Sequence, residues 1–256
     1  MSDNELADAI GAAIGSGRLN MDDTWVSRRQ RYFYMGIPKV ASSKVKMVLH
    51  QLEGYPLPRD PFDVHARSTP GVSFVDKLSA FSSGEAAEIL AGPDWYRFAF
   101  VRNPYARLYS AYKSKIADLT SPYIGVRKTI WELSGKRSSP DNGPPFDAFV
   151  RYVVELPDPS RDGHWRSQTG ILCLDLIDYG FLARFERFGE DFAIVLRSLG
   201  APDDLRGGLD LVVNASATPL TERPYNAALA QLVYEAYAAD FEAFGYARAS
   251  WSGGVG

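Results

Sequence analysis

The sequence predicts an α/β fold, a central parallel sheet flanked by helices. Two apolar runs, 31–37 (Arg-Tyr-Phe-Tyr-Met-Gly-Ile) and 95–101 (Trp-Tyr-Arg-Phe-Ala-Phe-Val), have the length and aromatic content of buried strands. Each is followed at once by a turn and a stretch with helical periodicity, and a third strand-like run near 179–185 precedes a further helix at 188–199. Strands alternating with helices in this way call for a parallel sheet covered on both faces.

The elements follow in order. Residues 1–30 read as a short helix and an approach segment. Pro38 ends the first strand, Ser42 or Ser43 offers a cap, and Val45, Val48, Leu49 and Leu52 form one apolar helical stripe that stops near Gly54. A Pro-rich loop runs past His65, a short helix at 85–90 stops at Gly92-Pro93, and the second strand leads to Asn103 and Pro104, an N-cap and first-turn pair. Tyr105, Leu108, Tyr109, Tyr112 and Ile116 make the next core-facing stripe. Residues 118–145 are rich in Ser, Pro and Gly and read as a mobile insertion with one short helix, plausible cover for a site. A helix at 146–155, a loop through His164, and a last helix at 224–244 complete the chain. Residues 31–246 are thus expected to be one domain, with a flexible tail at 247–256.

Composition narrows the function. The chain has 256 residues, 46% hydrophobic and 23% charged, with a net charge of −3, so an anion site has to be a local concentration of Lys and Arg and a nucleic-acid binder is not indicated. Cys173 is the only cysteine and the histidines are His50, His65 and His164, which excludes an internal disulfide and speaks against a metal centre. The acidic N-terminus and the lack of a run near 20 apolar residues lead to the expectation of a cytoplasmic protein with no membrane span.

The chemistry lies in the two turns. The first, Ile-Pro-Lys-Val-Ala-Ser-Ser-Lys-Val-Lys at 37–46, joins a strand to a helix N-terminus, where amides and dipole favour a phosphate or sulfate. Small Ala41, Ser42 and Ser43 admit a ligand to the backbone of 40–44, while Lys39 and Lys44 bring charge. The segment contains no glycine and is not a Walker A loop, which weakens a kinase reading. In the second turn Arg102 stands directly before the Asn103-Pro104 helix start and Ser110 two turns on, a guanidinium and hydroxyl pair suited to phosphate. Two such turns suit a ligand with two separate anionic groups.

Pro-Lys-Val-Ala-Ser-Ser-Lys-Val-Lys-Met-Val-Leu (38–49) resembles the 5′-phosphosulfate loop of the carbohydrate (family 2-type) sulfotransferases, and Phe-Val-Arg-Asn-Pro-Tyr-Ala-Arg-Leu-Tyr-Ser-Ala-Tyr (100–112) is similar to their 3′-phosphate motif. Asp162-Gly-His-Trp-Arg-Ser-Gln168 resembles a third segment, and Leu172-Cys173, Asp178-Tyr179, Phe185-Glu186, Asn214-Ala-Ser216 and the stretch from Asp240 to Tyr246 match later landmarks in order. Ser42 stands where the family usually has Cys, Lys44 where it has a small polar residue, and Val45 where it has Trp.

The resemblance implies a P-loop NTPase-like sulfotransferase fold and transfer of a sulfuryl group from 3′-phosphoadenosine 5′-phosphosulfate to an acceptor hydroxyl on a glycan or small molecule, without a metal. It implies that Lys39 and the Val40–Lys44 backbone hold the 5′ end, with Lys39 at the bridging oxygen, and that Arg102 and Ser110 hold the 3′-phosphate. A base is needed for the hydroxyl proton. His65, between the two motifs, is placed just ahead of His164, and an Asp or Glu remains open. His50, Trp165 and Cys173 read as core residues, Arg166 as a surface charge, and Asn214 and Ser216 as a late nucleotide-side loop or a plain turn. Loops 54–80 and 118–145 are the acceptor-facing candidates. The competing readings are a small-molecule kinase, which requires magnesium and ATP, and a non-catalytic nucleotide- or glycan-binding module.

Overall fold

The computed structural model describes residues 3–56, 75–135, 142–203, 205 and 224–252. The chain forms two compact units, one built from residues 1–101 and 170–215, the other from 102–169 and 216–256.

The first unit carries a four-stranded sheet in the order β1 (Thr24–Ser27), β2 (Tyr32–Met35), β3 (Tyr96–Val101), β4 (Phe181–Arg184). β2, β3 and β4 are parallel, as the alternating pattern requires. β1 corrects the sequence reading: residues 24–27 were expected to be part of an approach segment, yet they pair antiparallel with β2, from Thr24 against Met35 to Ser27 against Tyr32. The sheet is therefore mixed. A four-residue edge strand with Trp25 and Val26 as its only apolar residues is too short to show periodicity, and only the returning β2 gives it a partner.

Both faces of the central strands are covered. Tyr32, Phe33, Tyr34, Met35, Phe98, Ala99 and Phe100 are fully buried. Tyr34 stacks on Phe98 at 5.1 Å between ring centroids, while Phe100 meets Phe188 and Phe192 at 5.0 and 5.4 Å. Near-continuous apolar strands are what two-sided burial demands. The helices of this unit are α1 (Asp3–Gly15), α2 (Ser42–Leu52), α3 (Ser83–Ala91) and, after β4, a helix at Phe188–Ser198. α3 starts at a capping box between Ser82 and Glu85. β2 and β3 run parallel, so the chain leaves both at one edge of the sheet, the carboxyl edge where open α/β sheets take their ligands.

The second unit is helical: α4 (Pro104–Ala111), α5 (Ile124–Leu133), α6 (Phe146–Glu155) and two helices at Ala227–Ala236 and Ala238–Phe244. Its core joins Tyr105, Leu108, Phe146, Phe149, Val153, Trp165, Val233, Tyr237 and Phe241. Two expectations change here. The stripe ending at Ile116 is not one α-helix, because Tyr112–Ala117 winds as a π-helix that nonetheless buries Ile116. The last helix is broken at Tyr237, whose backbone (φ −124°) leaves the helical region while its buried hydroxyl donates to the Trp165 carbonyl.

No helix among the described residues is long and apolar enough to cross a membrane.

Candidate functional site

The turn after β2 is tightly constrained. Gly36 N–H donates to the Asp23 carbonyl at 2.8 Å, and a Cβ at Gly36 would stand 2.9 Å from that oxygen. Lys39 (φ 73°) and Ala41 (φ 68°) both occupy the left-handed region, shared among described non-glycine residues only with Arg31 and Cys173. Each such residue costs about 1–2 kcal/mol, and strained backbone of this kind concentrates at functional sites. Ala41 is the N-cap of α2 and provides no side-chain cap; the expected caps Ser42 and Ser43 instead stand in the first turn. Because Ala41 turns left-handed, its carbonyl takes the N–H groups of Lys44 and Val45 (2.9 and 3.2 Å) and the helix begins one residue earlier than a serine cap allows. Lys39, Ala41, Ser42, Ser43 and Lys44 are half-buried, whereas the Val40 side chain is fully buried, so Val40 can offer a ligand only its backbone. Burial draws the Lys44 ammonium below its ordinary pKa.

One turn further along α2, Lys46 is 4% exposed and its ammonium lies 5.3 Å from the Trp25 ring centre. Burial lowers its pKa to about 8; Asp23 works against that shift and Lys77 adds to it. His50, on the same helix, is fully buried against Tyr55, in keeping with a structural role.

The second turn is framed differently. The Asn103 side chain accepts from Ala106 N–H at 3.3 Å, and Pro104 opens α4, as the sequence predicts. Arg102 is 5% exposed. Its N–H donates to Gln168 Oε1 at 2.8 Å, and its carbonyl accepts from Gln168 Nε2 at 2.8 Å, so one amide side chain holds both backbone groups. Gln168 is in turn held by Asp240, whose Oδ2 accepts from Gln168 N–H at 2.9 Å and whose Oδ1 accepts the N–H and hydroxyl of Thr169, each at 2.8 Å. Burial pushes the Asp240 carboxyl up, opposed by these bonds and by the Arg107 guanidinium. Ser110 is half-buried on α4. Asp240 and Gln168 were visible in the sequence only as landmarks of a resemblance; their task is to fix the backbone that carries Arg102.

The third segment is pinned by Arg107, 2% exposed, which donates to the carbonyls of Arg166 (2.6 Å) and Gly163 (2.8 Å). His164 Nδ1 lies 2.7 Å from Asp162 Oδ1 and 3.0 Å from the Tyr123 hydroxyl, and that hydroxyl is 3.0 Å from Asp162 Oδ2. Asp162 Oδ1 also accepts His164 N–H at 2.9 Å. Trp165 is buried in the core as expected. Arg166 is not the surface charge the sequence implied: its side chain is 15% exposed and faces Asp158 Oδ2 at 3.8 Å. Asp158 also takes the N–H and hydroxyl of Ser167 and the Arg161 guanidinium, an anchoring role that no motif announced.

His65, Asn214 and Ser216 lie outside the described residues. Cys173 is buried, consistent with a packing role. No group of three or more His, Cys, Asp or Glu among the described residues could hold a metal ion. A cavity of about 440 Å³ is lined among others by Ile130 and Leu133, from the 118–145 stretch named as an acceptor-facing candidate, and by Ala148 and Tyr152; it contains none of the residues assigned to the nucleotide or to proton transfer.

Comparison with known proteins agrees with the motif reading. Residues 22–247 match the model of a family described as the sulfotransferase family. Similar proteins include carbohydrate sulfotransferase 14 of Danio rerio, 30% identical over 71% of this chain and 49% of its own length. Carbohydrate sulfotransferase 8 of Mus musculus is 29% identical over 71% of this chain and 44% of its length, and carbohydrate sulfotransferase 14 of Homo sapiens is 29% identical over 91% and 62%. The chain thus spans about half the length of the first of these relatives. No solved structure matches. With the match running from before β1 to beyond the helix at Ala238–Phe244, the chain belongs to the sulfotransferase family.

Proposed function

We propose that this protein transfers the sulfuryl group of 3′-phosphoadenosine 5′-phosphosulfate to a hydroxyl of a carbohydrate or glycoconjugate, on a P-loop NTPase-like version of the α/β fold. The observation that carries the reading is the strained, glycine-free turn at Lys39–Ala41, set between β2 and α2 within the segment that resembles a phosphosulfate loop. The relatives' names favour a sugar acceptor.

In this reaction the acceptor oxygen attacks sulfur in line, the new O–S bond forms as the S–O bond to the 5′-phosphate breaks, and 3′,5′-ADP leaves with the electron pair. Lys39 is assigned to the oxygen that gains charge, supported by the backbone of 40–44 and the dipole of α2. Arg102 and Ser110 are assigned to the 3′-phosphate, Arg102 on a backbone already fixed by Gln168. His164 is the described histidine with the geometry of a base. A carboxylate oxygen 2.7 Å from Nδ1 favours a proton on that nitrogen, which leaves the Nε2 lone pair to take the acceptor proton.

The test is calorimetric titration with 3′,5′-ADP and with ADP, without magnesium, on the wild type and Arg102→Ala. Micromolar binding of 3′,5′-ADP, much weaker binding of ADP, and loss of that difference in the variant are expected. Equal binding of the two nucleotides, or binding only with magnesium, overturns the reading in favour of a kinase. Binding of neither favours a non-catalytic module.

A further inference from the structure

We infer that Tyr123 is a positioning residue that, together with Asp162, fixes the His164 imidazole in the tautomer carrying its proton on Nδ1. The inference rests on the proposed role of His164 as the base, and it adds a residue from a part of the chain that no motif marks.

Donors and acceptors around the ring nitrogen fix the tautomer. Three heavy atoms converge within 3.0 Å of one another or of the ring nitrogen: Asp162 Oδ1 at 2.7 Å from Nδ1, Tyr123 Oη at 3.0 Å from Nδ1, and Asp162 Oδ2 at 3.0 Å from Tyr123 Oη. A phenol has one proton, a carboxylate has none, and a neutral imidazole has one. One assignment satisfies every contact. The Tyr123 hydroxyl donates to Asp162 Oδ2, and its lone pair accepts from Nδ1–H, which is shared with Asp162 Oδ1. The opposite tautomer sets a ring lone pair against a carboxylate oxygen and turns the phenol proton away from the carboxylate.

The protonation states this requires are those the surroundings favour. Burial pushes the Tyr123 phenol up, and Asp162 beside it does the same, so the hydroxyl stays a donor across the working range. Asp162 is held below the ordinary carboxylate range: its partial burial works the other way, but the bonds from His164 and Tyr123 outweigh it. Cations near the cluster among the described residues include Lys115, 5.6 Å from the Tyr123 ring centre, and Arg107, which acts on Asp162 electrostatically.

Tyr123 is itself packed and braced by neighbouring contacts. It is the N-cap residue of α5, and Arg127 one turn on is 8% exposed and donates to the carbonyls of Lys115, Asp118, Leu119 and Ser121. Its ring packs edge-on to Trp165 at 5.6 Å and to His164 at 5.8 Å. A guanidinium satisfied by backbone carbonyls makes the approach to α5 a fixed platform, and Tyr123 is the side chain by which that platform reaches His164. This is the geometry of an orienting group, which sets the tautomer and direction of a base without touching the reacting atoms.

The experiment is long-range proton–nitrogen correlation NMR on the full chain labelled at histidine nitrogen, at a pH where His164 is neutral, for wild type and Tyr123→Phe. In the wild type His164 is expected to carry its proton on Nδ1; a proton on Nε2 overturns the inference without any variant. In Tyr123→Phe the ring and its packing are retained while both hydroxyl contacts are lost, and His164 is expected to lose a measurable part of its Nδ1–H population, Asp162 alone still favouring that tautomer. An unchanged Nδ1–H tautomer in a folded variant overturns the inference. For turnover, Tyr123→Phe should lower kcat roughly tenfold with little change in the KM for the donor. His164→Ala separates the two readings: full activity in that variant removes His164 as the base, while the tautomer measurement still decides what Tyr123 does.

Discussion

The two strand-to-helix turns assigned to the nucleotide hold their shape by opposite means. The turn after β2 holds its shape through backbone strain, with Lys39 and Ala41 in the left-handed region and no side chain capping α2. The turn after β3 is relaxed and conventionally capped by Asn103, but its backbone is clamped by a buried Gln168 that is itself gripped by Asp240. In the first, half-buried cations stand on a strained backbone; in the second, a nearly buried arginine stands on a braced one. A strained turn suits a group whose charge changes during reaction, because its donors are preorganised and reachable. A braced, buried arginine suits a charge that stays constant throughout, such as a 3′-phosphate, where rigid bidentate contact gives discrimination.

If that division of labour holds, the largest effect comes from Lys39→Ala. Its kcat for sulfuryl transfer should fall by about two to three orders of magnitude, while 3′,5′-ADP, which lacks the transferring group, binds within a few fold of wild type. A calorimetric loss of product binding equal to the loss of kcat would erase the distinction between the turns. Gln168→Ala strips two backbone groups of Arg102 of their partner and should lower stability by about 2–4 kcal/mol in urea titrations. It should also narrow the preference for 3′,5′-ADP over ADP, which Lys39→Ala should leave alone. Stability unchanged in Gln168→Ala would mean that the second turn is not braced as described.

Lys46 gives a pH-dependent test inside the first unit. Its folded pKa of about 8 lies below the ordinary lysine value of 10.5, so between those limits the unfolded chain binds more protons than the folded one. The cost of burying its charge is present in full below about pH 8 and is relieved as pH rises toward 10.5, so stability should increase over that window. Lys46→Met should remove the slope and stabilise the protein at pH 7 by about 2 kcal/mol. Thermal melts between pH 7 and 10 decide this, and a wild-type curve that falls steadily with pH contradicts it. The smallest effect is Ala41→Gly, which relieves left-handed strain and should raise stability by about 0.5–1 kcal/mol. A destabilised Ala41→Gly would show that the turn is not strained.

Much of the architecture was legible in the residues because it is written at short range. The strands at 96–101 and 181–184, the Asn103-Pro104 start of α4, the helix at Phe146–Glu155 and the end of α2 near Gly54 follow from local pattern and capping chemistry. β1 escaped because four residues carry no periodicity until β2 returns to pair with them. The serines at 42 and 43 were reasonable caps, but the left-handed turn at Ala41 started the helix before them. The long helix expected at 224–244 read as continuous because nothing local marks the break at Tyr237, whose hydroxyl is held by a carbonyl 72 residues away.

The same line divides the candidate site. The sequence by itself determined the residue types and spacing of the two turns and the order of the landmarks, because strand–turn–helix chemistry is local and anion binding needs a few donors close along the chain. Only the tertiary structure decided what holds those donors: the left-handed backbone at Lys39 and Ala41, the Gln168–Asp240 clamp, the Arg107 and Asp158 anchors, and the meeting of Tyr123 with Asp162 and His164. Buried polar groups must find partners wherever the folded chain supplies them, and carbonyls and carboxylates distant in sequence leave no periodic trace of that pairing.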